Sequence, residues 1–236
     1  MSTADIPEGL FQVTPREATL FDVDCGYVVA NASLKTLPGI VALVVCSIQQ
    51  PFAHMPQQTA DVAKNGSRSR FLFGHKREAF EYAREYRKEI WRAIETYRDA
   101  PNHPQSLTRL VHKFCEIPGI GIVKGSFLAQ LTVGDGACLD TLNIQWMGMH
   151  PRAFDVRKDR WRSLAKRIQS YNAVWRAHGD SAFWWDTWCE RLSGRTHIDT
   201  GKRDAIGEPI MRRVPAIGSP EEVSAIHRLA IDAGVK

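Results

Sequence analysis

Asp140, Asn143 and Lys124 are the side chains best placed by type and spacing to do chemistry. A carboxylate can accept a proton from an attacking nucleophile or stabilise a cationic intermediate. Asn143 follows Asp140 by three residues, so on a helix the two share a face. Upstream, Ile117-Pro-Gly-Ile-Gly-Ile-Val-Lys-Gly125 lies between two expected helices. Gly119 and Gly121, on either side of Ile120, permit a tight turn that a Cβ would obstruct. The helix that follows offers its first N–H groups and the positive end of its dipole, a combination suited to a phosphate. Ile120 is expected to tuck into the core, Gly125 to sit where two helices cross, and Lys124 to add a phosphate contact. Two plainer readings stay open: an ordinary connection between helices, and Asp140 as a helix N-cap. Leu37-Pro-Gly-Ile-Val41 begins like the glycine motif, but Val41 replaces the second glycine and the flanks are apolar.

The glycine motif is followed, nineteen positions after Gly121, by Asp140 within Cys138-Leu-Asp-Thr-Leu-Asn143. This arrangement resembles the helix-hairpin-helix superfamily of base-excision DNA glycosylases over about forty residues. The two strings, with Trp185-Asp-Thr-Trp-Cys189, are most similar to bacteriophage glycosylase-fold proteins of thymine hypermodification. In that branch the fold serves as an amino acid:DNA transferase. The resemblance implies that Gly119, Ile120 and Gly121 grip a DNA phosphate and that Asp140 faces a base flipped from the duplex. It implies an amino acid such as glycine replacing pyrophosphate on the 5-methylene of a modified uracil. The partners would be double-stranded DNA and the amino acid, without a cofactor, in the cytoplasm of a phage-infected bacterium. A monofunctional DNA glycosylase and a non-catalytic DNA-binding module are the alternatives. The chain departs from the lysine-bearing members, because Val123 stands where they carry the Schiff-base lysine. It also lacks their four-cysteine cluster, and Asp-Thr-Leu-Asn replaces the usual Asp-Thr-His-Val.

Loss of pyrophosphate calls for cations near the leaving oxygen. Arg68, Arg70, Lys76 and Lys124 are candidates. Gln49, Gln50 and His54, at the entrance to a polar loop, and Thr141, beside Asp140, could line a substrate pocket. For the first three, the simpler reading is that they only face solvent. Phe183, Trp184, Trp185 and Trp188 have helical spacing and are expected to be core more than a base-stacking platform. His112, Cys115 and Cys138 are three potential ligands without a fourth, so no metal site is assigned.

The elements that must position these groups read as helix after helix. Apolar spacing predicts helices over Val23–Leu37 and Gly39–Gln50, and one long amphipathic helix from His75 to about Arg98. Its stripe is Phe80, Ala83, Tyr86, Ile90, Ile94 and Tyr97. Pro51 to about Phe73 is expected to be a long exposed loop. Ser106 should cap a helix to about Cys115, followed by helices over Ile122–Thr132, Thr141–Met149, Arg157–Ala177 and Ser181–Leu192. A capping box at Ser219-Pro-Glu-Glu222 opens a last helix. Residues 195–218 read as an extended loop. The expectation is an all-α, glycosylase-like domain over 1–236, with two helical lobes, a central cleft, and the hairpin and aspartate in 106–145.

Composition fits this expectation. The 236 residues are 44% hydrophobic and 24% charged, close to a globular average, which excludes wholesale disorder. The longest apolar run, Ile40–Cys46, is too short to span a bilayer. Five scattered cysteines without a C-x-x-C pair suggest buried thiols in a reducing compartment. The first sixty residues carry a net −3 and the remainder +8, so a polyanion-binding face is sought after residue 60.

Overall fold

The computed structural model describes residues 28–30, 32–48, 58, 61–62, 65–140, 143 and 162–185, and the backbone of 197–203 and 209–213. The described body is helical. Its helices are α1 (Leu37–Cys46), α2 (His75–Glu85), α3 (Arg87–Asp99), α4 (Ser106–Phe114), α5 (Ile122–Val133) and α6 (Leu164–His178).

Of α1, every residue but Leu43 is buried, as an all-apolar helix requires. It packs against α2 and α5, while α4 packs against α3, α5 and α6. The expected helix from Val23 does not run on to Leu37. Residues 28–30 are helical, and a turn follows in which Ser33 N–H donates to Thr36 Oγ1 (2.8 Å) and Thr36 N–H to Ser33 Oγ (3.2 Å). These hydroxyls compete with the helical ladder, and α1 then starts afresh with Pro38 in its first turn.

The single helix expected over 75–98 is two. The chain bends at Tyr86 (φ −96°, ψ 20°), whose ring stacks on Tyr82 at 4.5 Å. The stripe is buried as expected at Phe80, Ala83, Ile90, Ile94 and Tyr97, but Tyr86 is exposed. Ser106 does not cap α4: it is the first helical residue, after Gln105, and its hydroxyl donates to Ala100 O at 2.6 Å, closing the preceding turn.

Where it is described, the loop expected over 51–73 is partly helical and less exposed than its composition suggests. A 3-10 turn spans Gly66–Arg68, and Gln58, Val62, Ser69 and Leu72 are buried. Asp61 organises it, accepting from Asn65 Nδ2 (2.9 Å) and Ser69 Oγ (2.5 Å). Residues 195–218 are not wholly loop either. Strands β1 (His197–Arg203) and β2 (Pro209–Arg213) pair antiparallel, His197 opposite Arg213, with an irregularity between Asp199 and Arg203. The proline at the start of β2 and the charged residues hide these strands from a pattern search.

α5 covers Ile122–Val133, close to expectation, and α6 is capped by Ser163, whose Oγ accepts from Lys166 N–H. The expected helix over 181–192 is seen at 181–185. The helix from Ser219 lies outside the described residues, and that over 141–149 is described only at Asn143. No described helix is long and apolar enough to cross a membrane.

Candidate functional site

The turn between α4 and α5 has the shape its glycines allow. Gly119 has φ +74°, a conformation that side-chain-bearing residues avoid. A Cβ there would also lie 2.7 Å from the His75 imidazole, so the start of α2 buttresses the hairpin. Gly121 differs. It is the N-cap of α5 in extended conformation (φ −95°), and a Cβ on it would meet open space. Both glycines are exposed while Ile120 between them is 4% exposed. No side chain caps α5, so the N–H groups of its first turn keep the capacity for an external acceptor. Gly125 lies at the expected crossing, where a Cβ would be 3.3 Å from Val111 O of α4.

Asp140 is reached by a segment that runs back along α5. At Gly136 a Cβ would lie 2.3 Å from Ser126 O, so only glycine permits this approach. Ala137 N–H then donates to Ser126 Oγ (3.0 Å). Tyr171 of α6 holds the next two peptides, donating its hydroxyl to Ala137 O (2.8 Å) and accepting from Leu139 N–H (2.9 Å). Burial holds the Tyr171 hydroxyl well above its ordinary pKa, so it remains a donor.

The three chemistry-bearing residues are brought together around Cys138. Asp140 Oδ1 accepts from Asn143 N–H (3.0 Å), so the carboxylate does serve as a cap. Asn143 is fully buried, and its Nδ2 donates to Cys138 O (2.7 Å), while its Oδ1 has no hydrogen-bond partner among the described residues. Lys124 reaches inward: its ammonium donates to Ser47 Oγ (2.9 Å) at the end of α1 and lies 3.6 Å from Cys138 Sγ. Burial pushes the Cys138 thiol up to about 12, despite the opposing pull of the Lys124 charge. Cys138 is thus an uncharged wall of the site.

The other candidates scatter. Arg68 and Arg70 are exposed, Arg70 lying 4.8 Å from the Phe71 ring centroid. Lys76 is 3% exposed, and burial lowers its pKa, against the opposing effect of Cys46. Gln49, Gln50, His54 and Thr141 lie outside the described residues. Trp184 and Trp185 belong to the core. The Trp184 indole N–H donates to Trp175 O (2.8 Å), and Trp185 packs on Phe127. Phe183 is exposed, and Trp188 lies outside the described residues. His112 lines a groove of about 270 Å³ between α4 and α6 with Arg109 and Gln169. Among the described residues no three potential ligands gather in a way that could hold a metal ion.

Sequence reasoning missed His75, Ser47 and Tyr171, which position the site from elsewhere in the chain, and Gly136, which lies just before the aspartate motif. Only Gly136 carried a signal, as one of a pair of glycines beside Asp135 between a helix and the aspartate motif. No family model matches this chain, and no curated protein or solved structure matches it.

Proposed function

We propose that this chain is a DNA base-modifying enzyme that docks through the 117–121 hairpin and works at Asp140. The observation that carries the reading is the hairpin itself: exposed Gly119 and Gly121 around buried Ile120, opening onto a helix N-terminus without a side-chain cap. A phosphate oxygen can approach glycine amides closely, and the helix dipole favours it. With Lys124 engaged by Ser47, phosphate docking falls to the backbone amides.

The reaction proposed is amino transfer within a glycosylase-like fold of two helical lobes. The amine of an amino acid attacks the 5-methylene of pyrophosphorylated 5-hydroxymethyluracil in DNA. A C–N bond forms, the C–O bond breaks, and pyrophosphate leaves with the electron pair. Asp140 takes the proton released by the amine, its carboxylate oriented by the Asn143 N–H. Lys124 supplies positive charge beside the same segment.

One experiment separates this from its rivals. The protein is incubated with DNA carrying pyrophosphorylated 5-hydroxymethyluracil and amino acids, and separately with duplexes carrying damaged bases. Digested nucleosides are analysed by mass spectrometry. A nucleoside heavier than 5-hydroxymethyldeoxyuridine by the amino acid less one water, with release of pyrophosphate, supports transfer. Abasic sites would instead identify a glycosylase. Salt-sensitive duplex binding with neither product would leave a DNA-binding module alone.

A further inference from the structure

The groove between α4 and α6 has no part in the function proposed above. It measures about 270 Å³, the volume of about nine waters at roughly 30 Å³ each. Its walls belong to the first two turns of each helix, with Gln105, Thr108, Arg109 and His112 on one side and Ala165 and Gln169 on the other. Every polar side chain that lines it can donate a hydrogen bond, and no carboxylate is among them. The charge of the two helices has one sign: they carry five Lys and Arg between them and no Asp or Glu. Two of the five are engaged in ion pairs, Lys113 with Glu116 and Arg176 with Asp135. Arg109 is exposed, and its Nη2 makes one long bond to Gln105 Oε1 (3.3 Å). That bond occupies the Gln105 oxygen and leaves the amide NH2 as a donor. Both helices start here, so the positive ends of two dipoles meet the groove.

The hydroxyl of Thr108 points most directly to a ligand. Thr108 is 6% exposed and lines the groove, yet its hydroxyl has no hydrogen-bond partner among the described residues. A threonine within a helix commonly returns its hydroxyl to the carbonyl one turn back, as Thr132 does to Leu128 O at 2.7 Å. A polar group kept buried without a partner is costly until a ligand or water completes it.

We propose that this groove binds a free phosphate compound, with inorganic pyrophosphate as a simple member of the class. Donors from two walls suit a tetrahedral oxyanion, which accepts from all sides, whereas a planar carboxylate is satisfied by the arginine fork alone. Arg109 supplies the charge, and Thr108, His112 and the two glutamine amides supply hydrogen bonds. A ligand held there ties the helix that ends at the hairpin to the helix whose Tyr171 holds the Asp140 segment. The proposal does not depend on the DNA reading of the hairpin.

The test uses the full chain without DNA. Inorganic pyrophosphate, inorganic phosphate and acetate are titrated separately by calorimetry, and the thermal midpoint is followed against pyrophosphate concentration. The wild type should bind pyrophosphate, and its midpoint should rise with concentration. Arg109→Gln should weaken that binding about tenfold or more and Thr108→Val about threefold or more, while Thr108→Ser restores it. Gly121→Leu should leave it unchanged, because the hairpin lies beyond the other end of α4. Arg109 is exposed, so its variant keeps the unliganded midpoint and lost binding reports the groove, not the fold. No binding of phosphate or pyrophosphate at millimolar concentration overturns the proposal. So does binding that Arg109→Gln and Thr108→Val leave intact, or that Gly121→Leu abolishes, which places the anion at the hairpin. Acetate bound as tightly as phosphate overturns it in favour of a carboxylate. Duplex affinity that falls in Arg109→Gln, with no binding of free pyrophosphate, overturns it in favour of a backbone phosphate of DNA.

Discussion

Gly119 and Gly121 look alike in sequence but should respond differently to the same substitution. In Gly119→Ala the new Cβ must adopt φ +74°, which costs about 1–2 kcal/mol. It must also displace His75, whose Cδ2 would lie 2.7 Å away and whose Cβ and Cγ would lie at 3.1 Å. Contacts to the ring's base cannot be relieved by a small rotation, and overpacking of this kind costs about 1–3 kcal/mol. The stiffer unfolded chain returns about 0.4–1 kcal/mol. The expected net loss is about 1–4.5 kcal/mol, or a thermal midpoint lowered by roughly 2–18 °C for a chain of this size. Gly121→Ala meets open space at an ordinary φ, so its stability should stay within about 0.5 kcal/mol of wild type. Urea unfolding followed by circular dichroism measures both, and a His75→Ala background separates the two costs. There Gly119→Ala should lose its steric part and retain about 1 kcal/mol of backbone strain. Equal losses for Gly119→Ala and Gly121→Ala, or no relief from His75→Ala, would refute the hairpin geometry. Gly121→Leu completes the set: the fold should hold while duplex affinity falls, because the side chain occupies the space a phosphate needs.

Three further outcomes follow from the site and its supports. Asp140→Asn keeps an oxygen for the Asn143 N–H, so stability should change by less than about 1 kcal/mol while product formation in the nucleoside assay falls by about a hundredfold or more. Trp184→Ala should cost about 3–5 kcal/mol in urea unfolding, since the ring is 1% exposed, whereas exposed Phe183→Ala should be nearly neutral. Alkaline pH should destabilise the fold. Cys138 and Cys115 are held up to about 12 and about 11 by burial, so the unfolded thiols ionise first, and stability present below pH 9 is lost as pH rises. The slope approaches about 1.4 kcal/mol per pH unit for Cys138. Lys76, with its pKa lowered in the fold, acts with the opposite sign below 10.5. Cys138→Ala should flatten the loss between pH 9 and 11 in urea midpoints.

Local rules made part of this structure legible. The all-apolar α1, the bounds of α5, buried Ile120 and the Gly125 crossing follow from hydrophobic period and side-chain size. The aromatic residues at 184 and 185 are core, as their spacing suggested. What escaped depends on distant partners. The bend at Tyr86 leaves the apolar stripe in phase, so periodicity runs straight through it. Ser106 carries the hydroxyl a cap would need, but Ala100 O takes its proton. Lys124 looks like an outward phosphate contact until Ser47, 77 residues earlier, is brought beside it.

The bond from Lys124 to Ser47 also bears on how the site could be transplanted. A turn proposed to dock DNA invites transplantation as a short cassette, and residues 106–145 would be its cuts. Here such a cassette would leave behind Ser47, His75 and Tyr171, which fix respectively the lysine, the turn and the aspartate segment. Grafted alone, it would carry Gly119 and Gly121 without the scaffold that aims them. Engineering with this chain therefore calls for keeping the site in place and exchanging the exposed surface around it instead.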